Sequence, residues 1–221
     1  MDVSFRLLVV ATVFLLIVSS GSIALPVGGN TTLESSERGT NSTTTAVSVR
    51  GGNVSSVDVT GTSITSRWSG FFGNISSRVL LGDSSNNEFF EWTVTNVTGS
   101  VVYATNDSIS DWGLSPASSS VMPSYLLTSD VDNFTNTFNK TEDFSSKEIG
   151  PLADTPYVST WNSTGVGILK TYALQSSVDN ALLFAGKAID GAEGFQGSAL
   201  DYQILVPAQS TTTYSFYLEL P

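Results

Sequence analysis

Hydrophobic and polar residues alternate over short distances in this chain. In "EFFEWTVT", Phe90, Trp92 and Val94 alternate with Glu91, Thr93 and Thr95; in "TYSFYLELP", Tyr214, Phe216, Leu218 and Leu220 alternate with Ser215, Tyr217 and Glu219. Successive side chains of a strand point to opposite faces, so each stretch predicts a strand with one dry face and one wet face. "SVDVTG", "SRVLLGD", "SVVYAT", "GVGILKTYALQ", "ALLFAGKAI" and "DYQILVPA" add further short runs rich in β-branched and aromatic residues, divided by Gly, Asn, Asp and Ser clusters. This punctuation predicts an all-β chain, an antiparallel β-sandwich of immunoglobulin-like or jelly-roll-like kind. "LLGDSSNNEFF" places Asp83, Ser84, Asn86 and Asn87 between two apolar runs and reads as a hairpin. In "RWSGFFGNISS", Trp68 is expected in the core, and Gly70 and Gly73 would permit a bulge that gives both Phe71 and Phe72 cover.

Three regions depart from this pattern. Residues 1–24 carry one Arg, the apolar run Leu7 to Val18, and small residues ending in Ser22-Ile23-Ala24. That is the layout of a secretory signal peptide, with a mature start near Leu25; an uncleaved anchor is the alternative. The apolar run is shorter than the roughly 20 residues a spanning helix needs, so no transmembrane segment is expected in the mature chain. Residues 25–45 are rich in Gly, Ser, Thr and Asn and poor in apolar residues, which predicts a flexible leader ahead of a single β-sandwich domain at 46–221. Trp112 to Pro156 holds Pro116, Pro123, Pro151 and Pro156 and predicts one long loop excursion with a short helix around Ser129 to Phe138. Such a loop either carries function or covers an open end of the sandwich.

Composition narrows the chemistry. The chain has no Cys and no His, which removes disulfides, thiolate sites, the commonest general base and the commonest metal ligand. No nucleotide-binding or nucleophile-elbow motif is present, and the acidic residues fall mostly in apparent turns without singling out a catalytic pair. The expectation is a non-enzymatic protein without cofactors. A formal net charge of -11 argues against nucleic acid as a partner. Asn-x-Ser/Thr occurs at Asn30, Asn41, Asn53, Asn74, Asn96, Asn106, Asn133, Asn139 and Asn162, nine of the 13 Asn. With 60 of 221 residues Ser or Thr, chance would supply about three or four, so covalent N-glycans are expected. Calcium has weak candidates in Asp130 and Asp132 of "SDVDN" and Asp190 and Glu193 of "IDGAEG", but turn formation explains both stretches without metal.

A signal, a polar glycosylated leader and a Cys-free β domain rich in Thr, Val and aromatics together resemble archaeal secreted cell-surface proteins. More narrowly they resemble donor-strand-complemented pilus or thread filament subunits, in which an N-terminal segment of one subunit completes the sheet of the next. "TTTAVSVRGG", with Ala46, Val47 and Val49, is the segment similar to a donor strand, and "TTTYSFYLELP" is the one similar to a terminal strand. The resemblance implies a secreted structural subunit that self-associates by sheet-edge pairing. The alternative is a cell-surface carbohydrate- or ligand-binding module that uses loop aromatics such as Trp112 and Trp161, which are placed less securely in a core than Trp92.

Overall fold

The computed structural model describes residues 25–48 and 50–221; the expected signal segment 1–24 and Val49, one of the donor-strand candidates, lie outside the described residues. The strands are β1 (Val27–Gly28), β2 (Trp68–Gly73), β3 (Arg78–Gly82), β4 (Glu88–Thr93), β5 (Val101–Thr105), β6 (Leu114–Pro116) and β7 (Lys140–Phe144). They continue with β8 (Leu152–Trp161), β9 (Gly167–Ser176), β10 (Leu182–Lys187), β11 (Ala192–Glu193), β12 (Ala199–Leu200), β13 (Tyr202–Pro207) and β14 (Ser215–Glu219). One short helix, α1 (Phe134–Thr137), falls inside the stretch expected to hold one; Asn133 caps it by accepting from the Asn136 amide at 2.7 Å. Every strand pair is antiparallel, as expected of an all-β, sandwich-like fold.

The main sheet runs β1-β14-β5-β10-β9-β8-β7, with β6 also paired to β9. Its central strands explain why "VVYAT" and "LLFAGK" read as continuous apolar runs: a strand covered on both faces has no wet side to mark. All five residues of β5 are buried, as are all of β10 except Lys187. On one face Val102, Ala104, Ala173, Leu182 and Phe184 meet Ile204 and Val206 of the smaller β2–β13 sheet. The segment from Ala117 to Phe138 closes the same face with Met122, Leu126, Phe134 and Phe138. On the other face Val101, Tyr103, Tyr172, Leu174, Leu183 and Ala185 are covered by Phe144 at the end of β7 and by irregular segments carrying Trp112 and Ile149. Gly186 sets the spacing of the two layers, because a Cβ there would lie 2.5 Å from Ile204 Cγ1.

The strand pattern is corrected in five places. Phe71 and Phe72 need no bulge: the β2–β13 register is unbroken from Trp68↔Pro207 to Gly73↔Tyr202, so the two rings take opposite faces. Phe71 packs edge-on against Phe216 at 5.0 Å, while Phe72 stays exposed beside Phe195. Trp68 is buried, as expected. The strand expected in "SVDVTG" does not form; Val57 and Val59 are exposed in irregular chain with no partner strand. The excursion is also shorter than expected, since it contains β6, β7 and the first half of β8, with Pro156 inside β8. Pro156 precedes the first β8–β9 pair, Tyr157↔Tyr172, and is paired only with Thr141 of the edge strand β7, so residue 156 owes β9 no amide proton.

In β14, Tyr217 packs against the second core and Glu219 is buried, so the expected wet face is covered. Most consequentially, β3 and β4 form the predicted hairpin, but every residue of both strands is exposed and its dry face meets no core; Trp92 is 51% exposed.

Regular structure between Gly28 and Trp68 is absent among the described residues, so the boundary expected at residue 46 lies in irregular chain. This lead-in folds back on itself: the Ser42 amide donates to Thr62 O at 2.9 Å and the Ile64 amide donates to Asn41 Oδ1 at 2.8 Å. Among the described residues no helix is long and apolar enough to cross a membrane.

Candidate functional site

Three features at the margins of the two cores have the geometry of a site. The first is the β14 edge of the main sheet. β5 fills one side of β14, from Ser215↔Thr105 to Glu219↔Val101. The other side is met by Val27↔Leu218 and Gly28↔Tyr217, extended by the Gly29 amide donating to Phe216 O at 2.8 Å. The two paired residues are exposed, with Val27 at 58%. The donor-strand candidates Ala46 and Val47 lie instead in exposed irregular chain away from any strand pairing. The segment that does occupy a sheet edge therefore carries little apolar signal in the sequence: "LPVGGN" offers Val27 between Pro26 and two glycines.

The second feature is an open groove of about 1060 Å³ between residues 33–39 of the lead-in, the outer side of β2 and β13, and the end of β8. Leu33, Phe72, Trp161, Phe195 and Leu205 line its apolar part and Gln203 its polar part. The two tryptophans of the alternative, ligand-binding reading thus differ in placement. Trp161 is 68% exposed at the groove, whereas Trp112 is held edge-on between Tyr103 at 5.3 Å and Tyr217 at 5.2 Å as part of the packing. Gln203 Nε2 donates to Thr160 Oγ1 at 2.9 Å and to Trp161 O at 3.2 Å, which ties the groove floor to β8.

The third is a charged cluster on β7, β9 and β10. The Lys170 ammonium donates to the Glu142 carboxylate at 2.6 and 2.7 Å, the Tyr172 hydroxyl donates to the same carboxylate, and Lys187 lies 5.2 Å from the Phe144 ring centre. Burial pulls the Lys187 ammonium below its ordinary range. Burial acts to raise the Glu142 carboxyl, but the hydrogen bonds from Lys170 and Tyr172 and the nearby lysine charges outweigh it and hold the group below the usual carboxylate range. Hydrogen bonds from the Ser110 amide and hydroxyl and the Asp111 amide do the same for Asp179. A carboxylate with a depressed folded-state pKa contributes stability above its unfolded value that is lost as pH falls through the folded one. The thermal midpoint is therefore expected to hold near neutrality and to drop by several degrees as pH falls below about 4. Calorimetry across pH 7 to 3 checks this; Glu142→Gln should start lower at pH 7 and fall less steeply.

The remaining candidates are placed as follows. Seven of the nine sequon asparagines are exposed, and Asn133 and Asn162 are half-buried. Asn133 Nδ2 is engaged in donating to Thr128 O at 2.9 Å, and Asn162 Oδ1 accepts from the Thr164 and Val166 amides at 3.0 and 2.9 Å. Of the calcium candidates, Asp130 and Asp132 both face Arg67, which supplies the positive charge a cation would bring. Asp130 also accepts from Thr128 Oγ1 and Asp132 from Thr65 Oγ1, each at 2.7 Å. Glu193 accepts from the Ser163 hydroxyl, and Asp190 is exposed. Among the described residues no three acidic side chains come together as a metal would require. Comparison with protein-family models, curated proteins and solved structures finds no match to this chain.

Proposed function

We propose that the protein is a non-enzymatic, secreted, N-glycosylated structural subunit of an extracellular filament or cell-envelope assembly, joined to copies of itself by pairing at the edges of the main sheet. The observation that carries this reading is the occupation of the β14 edge. An N-terminal segment, Val27–Gly28, lies on that edge through two residue pairs and one further amide bond. The eleven residues from 30 to 40, ahead of the contact at 41–42, have no regular structure. Fully extended, eleven residues reach about 35–40 Å, far enough to lay the same segment on a neighbouring domain. Exchange replaces each bond within the chain by an identical bond between chains, so its enthalpic cost is small. Reciprocal exchange between two copies closes a dimer, whereas passing each segment to the next copy in line makes a head-to-tail contact that propagates, and the filament reading commits to the latter.

Mature protein recovered from its native surface or medium is expected to give species larger than dimers in light scattering and a regular repeat in negative-stain electron microscopy. Deleting residues 25–40 is expected to remove both while leaving the circular dichroism spectrum intact. Mature protein that never exceeds a dimer at high concentration would overturn the reading. Glycan binding lost in Trp161→Ala would then move the function to the groove, the alternative that the exposure of Trp161 favours.

A further inference from the structure

We propose that the β3–β4 hairpin is a self-association arm, whose apolar face is covered by the same face of a second copy of this chain. The inference goes beyond edge exchange and does not depend on it, since it uses different strands.

Among the described residues β3 pairs with β4 and with no other strand, and neither strand buries a side chain. The register places Val79 opposite Trp92 and Leu81 opposite Phe90, so these four side chains share one face. Their exposures are 47%, 51%, 50% and 55% in that order, and Phe90 and Trp92 lie edge to face at 4.9 Å. Phe89, at the register shift beside Gly82, is 84% exposed. The four side chains of the shared face present roughly 400 Å² of apolar surface, within the range of the largest patch on a monomeric protein. An isolated two-stranded hairpin is marginal in water and is normally held by packing against something else.

Charge selects the occupant. The apolar face carries no charged residue, while on the arm's other side Arg78 bridges Glu88 at 2.9 Å and Glu91 at 2.7 Å. Two arms meeting face to face therefore bring no like charges into the contact, and the ion pairs remain in the solvated rim. A two-fold contact of this kind is self-complementary, and at roughly half of the 800 Å² per partner of a standard interface it makes a weak, reversible dimer. An anionic membrane surface is disfavoured by the net charge of -11. The glycan acceptors flanking the arm, Asn74 and Asn96, stand at its two feet, and no sequon lies between them. N-glycans there would frame the face without covering it. Long-range repulsion between two acidic copies is screened by salt, so the contact should tighten as ionic strength rises, the opposite of an interface built on ion pairs.

The test is sedimentation velocity on the mature protein lacking residues 25–40, which leaves the arm as the contact under study. A reversible dimer is expected, strengthening between about 50 and 500 mM NaCl, with Trp92 fluorescence shifting to shorter wavelength as the dimer fills. Phe90→Asp with Trp92→Ser should weaken the dimer on the order of thirty-fold or more and leave the circular dichroism of the sandwich unchanged, because neither residue touches either core. In the full mature chain the same double substitution should leave propagation beyond dimers in place. A monomer at every concentration and salt, or a dimer that survives the double substitution, would overturn the proposal.

Discussion

Gly186→Ala is expected to destabilise the protein by about 2–3 kcal/mol, although alanine is a small residue and its strand already contains Ala185. The cause is the approach of the two layers. An added Cβ would lie 2.5 Å from Ile204 Cγ1 and 3.0 Å from its Cδ1, with Gln203 O at 3.6 Å. Ile204 is 1% exposed, so its side chain has no solvent side to move into, and relief requires the β2–β13 sheet to lift from β10. Lifting it opens gaps against Phe184 and Ala173 in the same cluster, and lost packing contacts add to the steric cost. Denaturant unfolding measures the loss directly. The pairwise cause is checked by Ile204→Ala: alone it leaves a cavity and costs about 2–5 kcal/mol, but combined with Gly186→Ala the loss should be clearly smaller than the sum, because each substitution makes room for the other. Strict additivity would place the strain elsewhere.

Glycine at position 186 illustrates what the sequence disclosed and what it did not. Strand existence was largely legible: β5, β9, β10, β13 and β14 fall on the stretches marked by β-branched and aromatic residues, and the β3–β4 turn falls on Asp83 to Asn87. Glycine within "LLFAGKA" carried no mark of its role, because close approach depends on Ile204, eighteen residues further along the chain. The arm exposes the same gap more sharply. Alternation in "EFFEWT" states that Phe90 and Trp92 share a face, and they do; what stands opposite that face is decided by where the hairpin projects, which no local pattern records. By the reverse error, the alternation in "SFYLEL" put Tyr217 and Glu219 in water. The sheet covers both faces at β14, a condition the unbroken apolar runs of the adjacent β5 and of β10 signal indirectly.

Candidate sites were less legible for a related reason. Nine sequons are a local property and needed no fold to be found, whereas the β14 edge, the groove and the Glu142–Lys170–Lys187 cluster each join residues distant in sequence. Val27–Gly28 lacks the apolar alternation by which a strand is recognised, and its place on the edge comes from main-chain bonds that any residue except proline can make. The two Asp residues weighed as weak calcium candidates are separated from Arg67 by more than sixty positions, so the neutralising partner was invisible in "SDVDN".

Glu219→Ala is expected to cost about 3–4 kcal/mol and to loosen the edge on which the N-terminal segment lies. The carboxylate is 3% exposed and satisfies three donors: Oε2 accepts from the Tyr103 hydroxyl at 2.7 Å and from Ser146 Oγ at 2.9 Å, and Oε1 accepts from the Glu148 amide at 3.0 Å. Tyr103 is fully buried, and that burial, with the neighbouring carboxylate, pushes its phenol well above the ordinary range. The hydroxyl therefore stays a donor, and when the carboxylate is removed it keeps only a long 3.5 Å contact to Ser146 Oγ, at about 1–3 kcal/mol for each donor left without a good partner. Glu219→Gln should cost less, about 1–2 kcal/mol, because its carbonyl oxygen still accepts and the hydroxyls of Tyr103 and Ser146 can turn to accept from its amide. Glu219 follows Leu218, the residue opposite Val27, so loosening it frees the end of β14 where the segment pairs. Hydrogen exchange at the Gly29 amide, which donates to Phe216 O, should accelerate in Glu219→Ala more than at the central β10 amides. Equal acceleration at both would mean that Glu219 supports the sandwich as a whole and holds no special grip on the edge where the chain's own N-terminal segment lies.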